Sequence, residues 1–260
     1  MNPSTNLVER MTLPAYPRAA KYDPQWQIDT MMGPNVLWIT EALTEVIDLQ
    51  PGMRVLDLGC GMAASSIFLA KEFGVQVWAT DLWVSATDNL TRIHEANVED
   101  RVFPIHAEAH ALPYADGFFD VIVSMDAYQY FGTDALYAPR MVQLLKPGGQ
   151  FGIVVPGLTH ELTHGVPEHM KPYWETEFWC FHSAAWWRTH LERTGPFRID
   201  HAEDIPDGVE HWQQWEAIWR EVGKPAHYPD DDRGLTMLED DLAHGPTLAL
   251  VRVAGHRDER

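Results

Sequence analysis

Short apolar runs and longer segments with helical spacing alternate along most of the chain. The runs have the length of buried strands, and the longer segments repeat apolar residues every three or four positions, as amphipathic helices do. The predicted strands cover 54–59, 75–81, 102–108, 119–127, 150–158, 197–205 and 247–255. The predicted helices cover 35–49, 63–73, 84–97, 134–145, 183–195, 208–223 and 235–243. This alternation indicates an α/β fold with a parallel, doubly wound sheet.

A glycine-rich turn follows the first predicted strand. The stretch VLDLGCGMAASS (55–66) ends that strand and begins the next helix. Glycines let the backbone approach a ligand closely, and the free N–H groups at a helix start offer hydrogen bonds to it. The turn therefore predicts a site for a nucleotide-like ligand, and two spellings fit it. As G-x-G-x-x-A it suits a dinucleotide, and as D-x-G-x-G it suits S-adenosylmethionine.

Three carboxylates bear on this choice. Asp57 would repel the phosphates of a dinucleotide, whereas it complements the amino and sulfonium groups of S-adenosylmethionine. Asp81 ends the second strand, where a carboxylate can accept from ribose hydroxyls in either cofactor. Glu108 ends the third strand and can accept from an adenine amino group. The structural alternatives are that Asp57 caps the turn and that Asp81 caps the next helix, for which Ser85 is the nearer candidate.

Four sequence blocks occur in order and at matching spacing along the predicted sheet. They are VLDLGCG (55–61), ATDLW (79–83), AEAHALPYADGFFDVIVS (107–124) and LLKPGGQFGIVV (144–155). Together they resemble the class I S-adenosylmethionine-dependent methyltransferases, in the group that includes quinone-biosynthesis and other small-molecule enzymes. The resemblance is close over 35–158 and holds only in outline for the C-terminal third.

The resemblance implies a fold, a cofactor and a set of binding residues. The fold is a Rossmann-like seven-stranded sheet with strand order 3-2-1-4-5-7-6 and an antiparallel last strand, and the cofactor is S-adenosyl-L-methionine. The implied contacts are Asp57, Gly59, Cys60 and Gly61 for the methionine part, Asp81 for the ribose, Leu82 and Trp83 beside the adenine, and Glu108 with Ala109 at its edge. Cys60 is expected to use only its backbone. Ala63 stands where many members have a third glycine, and its methyl group is expected to narrow the approach slightly.

The resemblance also divides the chain. Residues 1–34 are expected to form an N-terminal helical lid, and 35–260 a single domain in which 159–182 and 206–234 are aromatic-rich caps over the substrate. Seven of the eleven tryptophans lie between 174 and 219. The spacing of tryptophans 212, 215 and 219 predicts a core-facing helix stripe. Tryptophans 174, 179 and 186 are candidates for holding a flat or cationic substrate.

Candidate catalytic residues follow the fourth and fifth strands, because ligands bind at this edge of such sheets. Methyl transfer needs an aligned nucleophile and, for a hydroxyl or a carbon acid, a base. Asp126 is predicted to orient an amine or to act as base, with a loop cap as the structural alternative. Tyr130 is expected to face the same opening. His160, after the fifth strand, is the third candidate, as a base or a substrate contact.

His160 also begins the string HELTH (160–164), which has the H-E-x-x-H spelling of zinc proteases. Such a site needs a long helix and a third ligand downstream. Pro156-Gly157 before the string and Gly165-Val166-Pro167 after it confine any helix here to about two turns. The remaining blocks indicate a different enzyme, so we predict no metal site.

The net charge of −19 restricts the partners. No run of basic residues could neutralise a phosphate backbone, so we expect neither nucleic acid nor an anionic membrane. Two interpretations of this acidity stay open: it keeps the protein soluble, or it reflects a preference for neutral or cationic substrates. We expect a small-molecule acceptor, an amine or heteroaromatic compound ahead of O- or C-methylation of an aromatic or quinone-like one. A dinucleotide-dependent oxidoreductase and a catalytically silent binding protein are the rival functions, and the sequence does not fix the oligomeric state.

The predicted compartment is the cytoplasm. Cys60 and Cys180 are the only cysteines, which excludes a disulfide framework. The N-terminal stretch carries a glutamate and no apolar core, so it does not resemble a signal peptide. No apolar run approaches the roughly 18–20 residues that a membrane span requires.

Overall fold

The computed structural model describes residues 3–223, 225–227 and 233–258. Residues 1–2 of the predicted lid, residues 224 and 228–232 of the predicted cap 206–234, and residues 259–260 lie outside the described part. No helix in the described ranges is both long enough and apolar enough to cross a bilayer.

A seven-stranded sheet forms the centre of the molecule. Its strands are β1 (Arg54–Leu58), β2 (Gln76–Asp81), β3 (Val102–His106), β4 (Phe119–Met125), β5 (Leu145–Leu158), β6 (Phe197–Asp204) and β7 (Leu248–Arg257). They lie in the order β3-β2-β1-β4-β5-β7-β6. The first five strands pair in parallel, and β7 runs antiparallel to both β5 and β6. The predicted fold class, strand order and reversed last strand are confirmed.

Nine helices surround the sheet in the described ranges. They are α1 (Pro3–Met11), α2 (Pro24–Asp29), α3 (Val36–Thr44), α4 (Ala64–Phe73), α5 (Ala86–Glu95), α6 (Tyr137–Met141), α7 (Ala184–Thr194), α8 (Gly208–Val222) and α9 (Arg233–His244). Residues of α3, α4 and α8 share one large apolar cluster with the N-terminal arm. Residues of α6 and α7 join a second cluster on the sheet. Trp215 and Trp219 are buried, as the stripe on α8 predicted.

Several helix ends lie where local chemistry predicts them. The Asn35 side chain accepts from the amides of Leu37 and Trp38 at the start of α3, and Ser85 caps α5. Gly74 ends α4 with a φ of 67°, the left-handed conformation that glycine tolerates. The Asn35 and Ser85 caps fix the starts of α3 and α5 near the carboxyl end of the sheet.

The region before β5 differs from the prediction. The expected helix 134–145 is the five-residue α6 followed by a 3-10 turn, Val142–Leu144. Pro139 lacks an N–H group, so its position is compatible only with the first turn of a helix, and α6 cannot extend further toward the N-terminus. β5 begins at Leu145, earlier than the predicted strand 150–158, and a register shift accommodates Gly148 and Gly149 opposite β4.

Candidate active site

A cavity of about 320 Å³ opens at the carboxyl ends of the first four strands. This volume lies within the range of roughly 300–1,000 Å³ that is typical of small-molecule sites. Its lining is drawn from the strand ends and following loops at 58–62, 64, 80–83, 107–110, 125–127 and 130–131, from residues 30 and 32–34 of the arm, and from Val36 of α3. Ten of the twelve predicted site residues are therefore brought together: Gly59, Cys60, Gly61, Asp81, Leu82, Trp83, Glu108, Ala109, Asp126 and Tyr130.

The glycine turn is shaped by its neighbours as well as by the cavity. Gly59 and Gly61 have φ values of 76° and 52°. A Cβ on Gly59 would lie 2.3 Å from the Cβ of Ala127, and one on Gly61 would lie 2.8 Å from the Sδ of Met32. Glycine is required at both positions because the β4 loop and the arm pack directly against the turn.

Ala63 follows the turn in the left-handed conformation, with a φ of 61°. It is fully buried in the large apolar cluster and does not line the cavity. The expected narrowing of the pocket by its methyl group is therefore wrong, because the methyl lies in the core.

Asp57 lies beneath the turn and does not line the cavity. Its Oδ2 accepts from the hydroxyls of Ser65 and Ser66, each at 2.6 Å, and its Oδ1 has no partner among the described residues. Burial raises the pKa of this carboxyl to about 6, against the opposing effect of the two hydroxyls. In this arrangement Asp57 supports the first turn of α4.

Asp81 organises the loops at the ends of β1 and β2. Its Oδ2 accepts from the Gly61 amide at 2.8 Å, and its Oδ1 accepts from the amides of Trp83 and Val84 at 2.7 and 2.8 Å. A carboxylate accepts about four hydrogen bonds, so Oδ2 keeps one open position. The carboxylate ties the two loops together and still offers an acceptor to a ligand hydroxyl.

Glu108 is held by its near neighbour His110. The His110 amide donates to Oε2 and its Nδ1 faces Oε1, both at 2.8 Å. This pairing lowers the pKa of the Glu108 carboxyl. Ionised Glu108 is therefore an acceptor at the cavity wall next to Ala109.

Asp126 follows β4 with a φ of 52°, an unusual conformation for a residue other than glycine. Its Oδ1 accepts from Gln129 Nε2 at 3.2 Å. Removal from bulk water raises the pKa of this carboxyl to about 7, and the Gln129 hydrogen bond opposes the rise only in part. The group is thus poised between its two protonation states near neutrality.

Aromatic side chains surround the cavity opening. Trp83 and Tyr130 are 72% and 51% exposed, with ring centroids 6.1 Å apart. Burial of its hydroxyl raises the pKa of Tyr130 to about 12, so it stays protonated at neutral pH. The 3-10 turn Thr176–Cys180 packs beside Tyr128–Tyr130 and carries exposed Trp179.

His160 does not reach the cavity. It is exposed after β5, with Nδ1 2.9 Å from the Thr159 hydroxyl. Glu161, the second residue of the HELTH string, instead accepts from the Ser183 amide and hydroxyl and pairs with His182. The string therefore connects the β5 loop to the start of α7. Within the described ranges, no group of three His, Cys, Asp or Glu side chains could hold a metal.

The cavity is acidic. Asp81, Glu108 and Asp126 line it, and among the described residues His110 is the only lining residue of basic type. Lysine and arginine are absent from the lining as far as the described residues show it. An anionic group on an acceptor would therefore find no lysine or arginine partner in the described lining.

Several lining residues were not predicted as site residues. The sequence marked His110 only as part of a family block and the MMGP stretch (31–34) only as part of the lid. Their roles depend on contacts that follow from the fold, such as the approach of Gly33 to the Asp126 carboxylate. The available signal was that the stretch 31–34 combines flexible methionines and a glycine with no polar side chain.

Comparisons with known proteins agree with this geometry. Residues 55–149 match the family model described as a methyltransferase domain. The chain is 27% identical over 218 residues to 2-methyl-6-phytyl-1,4-hydroquinone methyltransferase of Synechocystis sp., covering 79% of this chain and 65% of that protein. It spans 43 to 65% of the lengths of three curated relatives that it matches.

Two solved structures illustrate the likeness in fold. Phosphoethanolamine N-methyltransferase 2 of Haemonchus contortus, in complex with phosphomonomethylethanolamine and S-adenosylhomocysteine, superposes with a TM-score of 0.71 at 20% identity, covering 97% of this chain and 60% of that one. Geranyl diphosphate C-methyltransferase of Streptomyces coelicolor A3(2) gives 0.69 at 14% identity, covering 99% and 98%. The matched domain and the curated relatives confirm the predicted resemblance to the class I S-adenosylmethionine-dependent methyltransferases, and the solved structures show that the fold is shared.

Proposed function

We propose that the protein transfers a methyl group from S-adenosylmethionine to a small-molecule acceptor, with an amine or a heteroaromatic nitrogen as the preferred nucleophile. The observation that carries this proposal is the convergence of the glycine turn with Asp81, Glu108 and Asp126 at one cavity. The first three belong to the cofactor half of the cavity and Asp126 to the acceptor half.

The cofactor half fits S-adenosylmethionine, which when bound supplies a methyl carbon activated by the sulfonium. Asp81 offers its open acceptor position to a ribose hydroxyl, and Glu108 offers a carboxylate to the adenine amino group. Leu82 and Trp83 provide apolar surface beside the base. The backbone of 59–61 faces the methionine part, while Asp57 acts from below by supporting α4.

Asp126 carries the proton step of the proposal. Its carboxylate takes a proton from an ammonium group, and the neutral nitrogen then attacks the methyl carbon as the carbon–sulfur bond breaks. The methylated nitrogen releases its remaining extra proton to solvent. A hydroxyl acceptor would use the same base, so O-methylation is the second candidate. His160 lies outside the cavity and has no role in this step.

The charge of the cavity favours acceptors without phosphate or carboxylate groups. The two fold neighbours described above were solved with phosphorylated compounds. In this chain the lining supplies carboxylates and no lysine or arginine from the described residues. A cationic or neutral acceptor with a flat apolar body can instead contact Trp83 and Tyr130 at the opening.

The remaining expectations on organisation are consistent with this function. We infer that the arm 1–34 acts as a lid, since Thr30, Met32, Gly33 and Pro34 line the cavity. We also infer that 159–182 and the described part of 206–234 form caps over the substrate. With a net charge of −19 we expect no nucleic-acid partner.

Isothermal titration with S-adenosylmethionine, S-adenosylhomocysteine and NAD tests the cofactor. We expect the first two to bind and NAD to give no heat; binding of NAD alone would overturn the proposal. Transfer of a labelled methyl group is then measured over paired acceptors, each amine with its phosphorylated or carboxylated analogue. The free amines are expected to react at least ten times faster, and tight cofactor binding without turnover on any acceptor would favour a silent binding protein.

A further inference from the structure

Gly33 of the arm lies directly against the Asp126 carboxylate. A Cβ built on Gly33 would lie 2.0 Å from Asp126 Oδ2 and 3.2 Å from its Cγ. The φ of Gly33 is outside the left-handed region, so glycine is needed here for space and not for backbone conformation. The arm therefore forms one wall around this carboxylate.

Trp215 of α8 holds this wall in place. Its indole Nε1–H donates to the Gly33 carbonyl at 3.0 Å, across 182 residues of sequence. The side chain is 1% exposed, so this hydrogen bond is shielded from water. Two residues before Gly33, the carbonyl of Met31 accepts a hydrogen bond from His227 Nε2 at 2.9 Å.

The rest of the arm docks on the same helix. Gln214 donates to the Arg10 carbonyl at 2.7 Å, and the Tyr16 hydroxyl lies 3.1 Å from Nδ1 of His211. These contacts place α1 and the following loop on α8. Among them, the Trp215 bond is the one that ends at the peptide touching Asp126.

We propose that Trp215 is a positioning residue, whose N–H fixes the Gly33 peptide against the Asp126 carboxylate so that the acceptor end of the cavity is complete only while the arm is docked on α8. The catalytic meaning of this contact rests on the proposed function. The contact itself can be tested without any acceptor.

The proposal predicts how Asp126 responds when the arm loosens. Gly33 shields the Asp126 carboxylate from water on the side of Oδ2, and this shielding disfavours the charged form. When the wall moves away, water returns, the charged form is favoured, and the pKa of Asp126 falls. A purely structural role for Trp215 would lower stability without this specific shift.

Trp215→Phe removes the N–H and keeps a buried ring, and Trp38→Phe is its matched control. Trp38 is 2% exposed, its ring lies 6.0 Å from that of Trp215, and its Nε1 has no acceptor within the described part of the chain. In each variant the Asp126 carboxyl is titrated by carbon NMR, assigned with Asp126→Asn, and amide hydrogen exchange is followed over 30–36.

We expect Trp215→Phe to speed exchange over 30–36 at least fivefold and to lower the Asp126 midpoint by about one pH unit, with Trp38→Phe changing neither. Equal changes in both variants, or no change in either, would overturn the proposal. If Trp215→Phe does not fold, Gly33→Ala serves instead: its methyl must displace the carboxylate, and an unchanged Asp126 midpoint would be the contrary result. Absence of methyl transfer from the wild type would count against the proposed function alone, since none of these readouts uses an acceptor.

Discussion

The β2 edge and the β4 edge of the cavity each present one carboxylate, in opposite surroundings. Asp81 accepts three backbone N–H groups that belong to two loops, whereas Asp126 accepts a single side-chain amide bond. The first group is fixed as an acceptor, which suits the binding of hydroxyls. The Asp126 carboxylate accepts fewer hydrogen bonds from the described residues, and its pKa is raised to about 7. A carboxyl group with such a pKa is suited to proton transfer. In the proposed function, the ends of two strands that flank β1 thus divide cofactor binding from proton transfer.

The largest expected effect is on turnover. Asp126→Asn should reduce kcat by about 10²–10³-fold with the best acceptor of the panel, because the proton acceptor is lost. In the wild type, activity should fall as pH drops below about 7, where the carboxyl becomes protonated and can no longer accept. This fall in activity at low pH should be absent from the pH profile of Asp126→Asn.

Asp134→Asn is the matched control for this prediction. Asp134 is an exposed carboxylate of the same β4–α6 loop, outside the cavity lining. The dissociation constant for S-adenosylhomocysteine, measured by titration calorimetry, should stay within about threefold in both variants. If Asp126→Asn abolished cofactor binding together with turnover, the proposed separation between the two edges would not hold.

Asp81→Ala should act on binding instead. Three amides lose a charged acceptor, each such bond contributing on the order of 1.5–3 kcal/mol, and both loops lose their connection. We expect at least a 100-fold weaker affinity for S-adenosylhomocysteine by calorimetry. Asp116→Ala, at an exposed carboxylate before β4, provides the control, and unchanged affinity in Asp81→Ala would show that the backbone alone binds the cofactor.

Asp57 sharpens the comparison as a third carboxylate, outside the cavity. Its pKa in the folded state, about 6, lies above the unfolded value near 3.9. Its contribution to stability is therefore full below about pH 4 and is lost as pH rises through about 6. Relative to Asp57→Asn, the wild type should lose about 2–3 kcal/mol of unfolding free energy between pH 4 and pH 8, measured by urea denaturation.

The same variant tests the role that the family resemblance implies for Asp57. If the side chain acts only on α4, affinity for S-adenosylhomocysteine should change less than about threefold. A loss of tenfold or more, at a pH where the variant is fully folded, would instead place Asp57 among the ligand contacts. Asp116→Asn should show neither the stability shift nor the loss.

Ala63→Gly should have the smallest effect. Glycine removes the strain of an alanine in the left-handed conformation, which should stabilise the fold by about 1–2 kcal/mol. The loss of a buried methyl group costs about 0.8 kcal/mol of stability. The greater flexibility of glycine in the unfolded chain costs about 0.5–1 kcal/mol more. These effects nearly cancel, and the methyl does not line the cavity, so thermal unfolding and cofactor affinity should both stay close to wild type. A collapse of affinity would show that the turn has been misinterpreted.

The β2 edge was predictable because its determinants are local. Gly59, Gly61 and Asp81 lie within one strand–turn–helix–strand unit, and the period of the apolar residues indicates where each strand ends. The caps at Asn35 and Ser85 depend on neighbouring amides only. The antiparallel last strand came from the family resemblance, since strand direction at β7 is not encoded in its own apolar pattern.

The β4 edge was predictable only in part. Asp126 was identified from its place after a strand, but its wall depends on Gly33, 93 positions earlier, and on Trp215, 89 positions later. Helical spacing correctly predicted a buried Trp215 and carried no information on its N–H partner. His160 follows β5, as the sequence predicts, but the loop after β5 places its side chain at the surface. The next residue, Glu161, connects this loop to the start of α7.

The docking of the arm on α8 has a consequence for biosynthesis. Residues 30–34 leave the ribosome early, whereas Trp215 is made 182 positions after Gly33. At synthesis rates of roughly 5–20 residues per second, Trp215 is made on the order of ten seconds or more after Gly33. The β1–β4 half of the sheet can form in that interval, with its cofactor edge in place. The nascent protein should therefore become able to bind its cofactor before its acceptor site is closed.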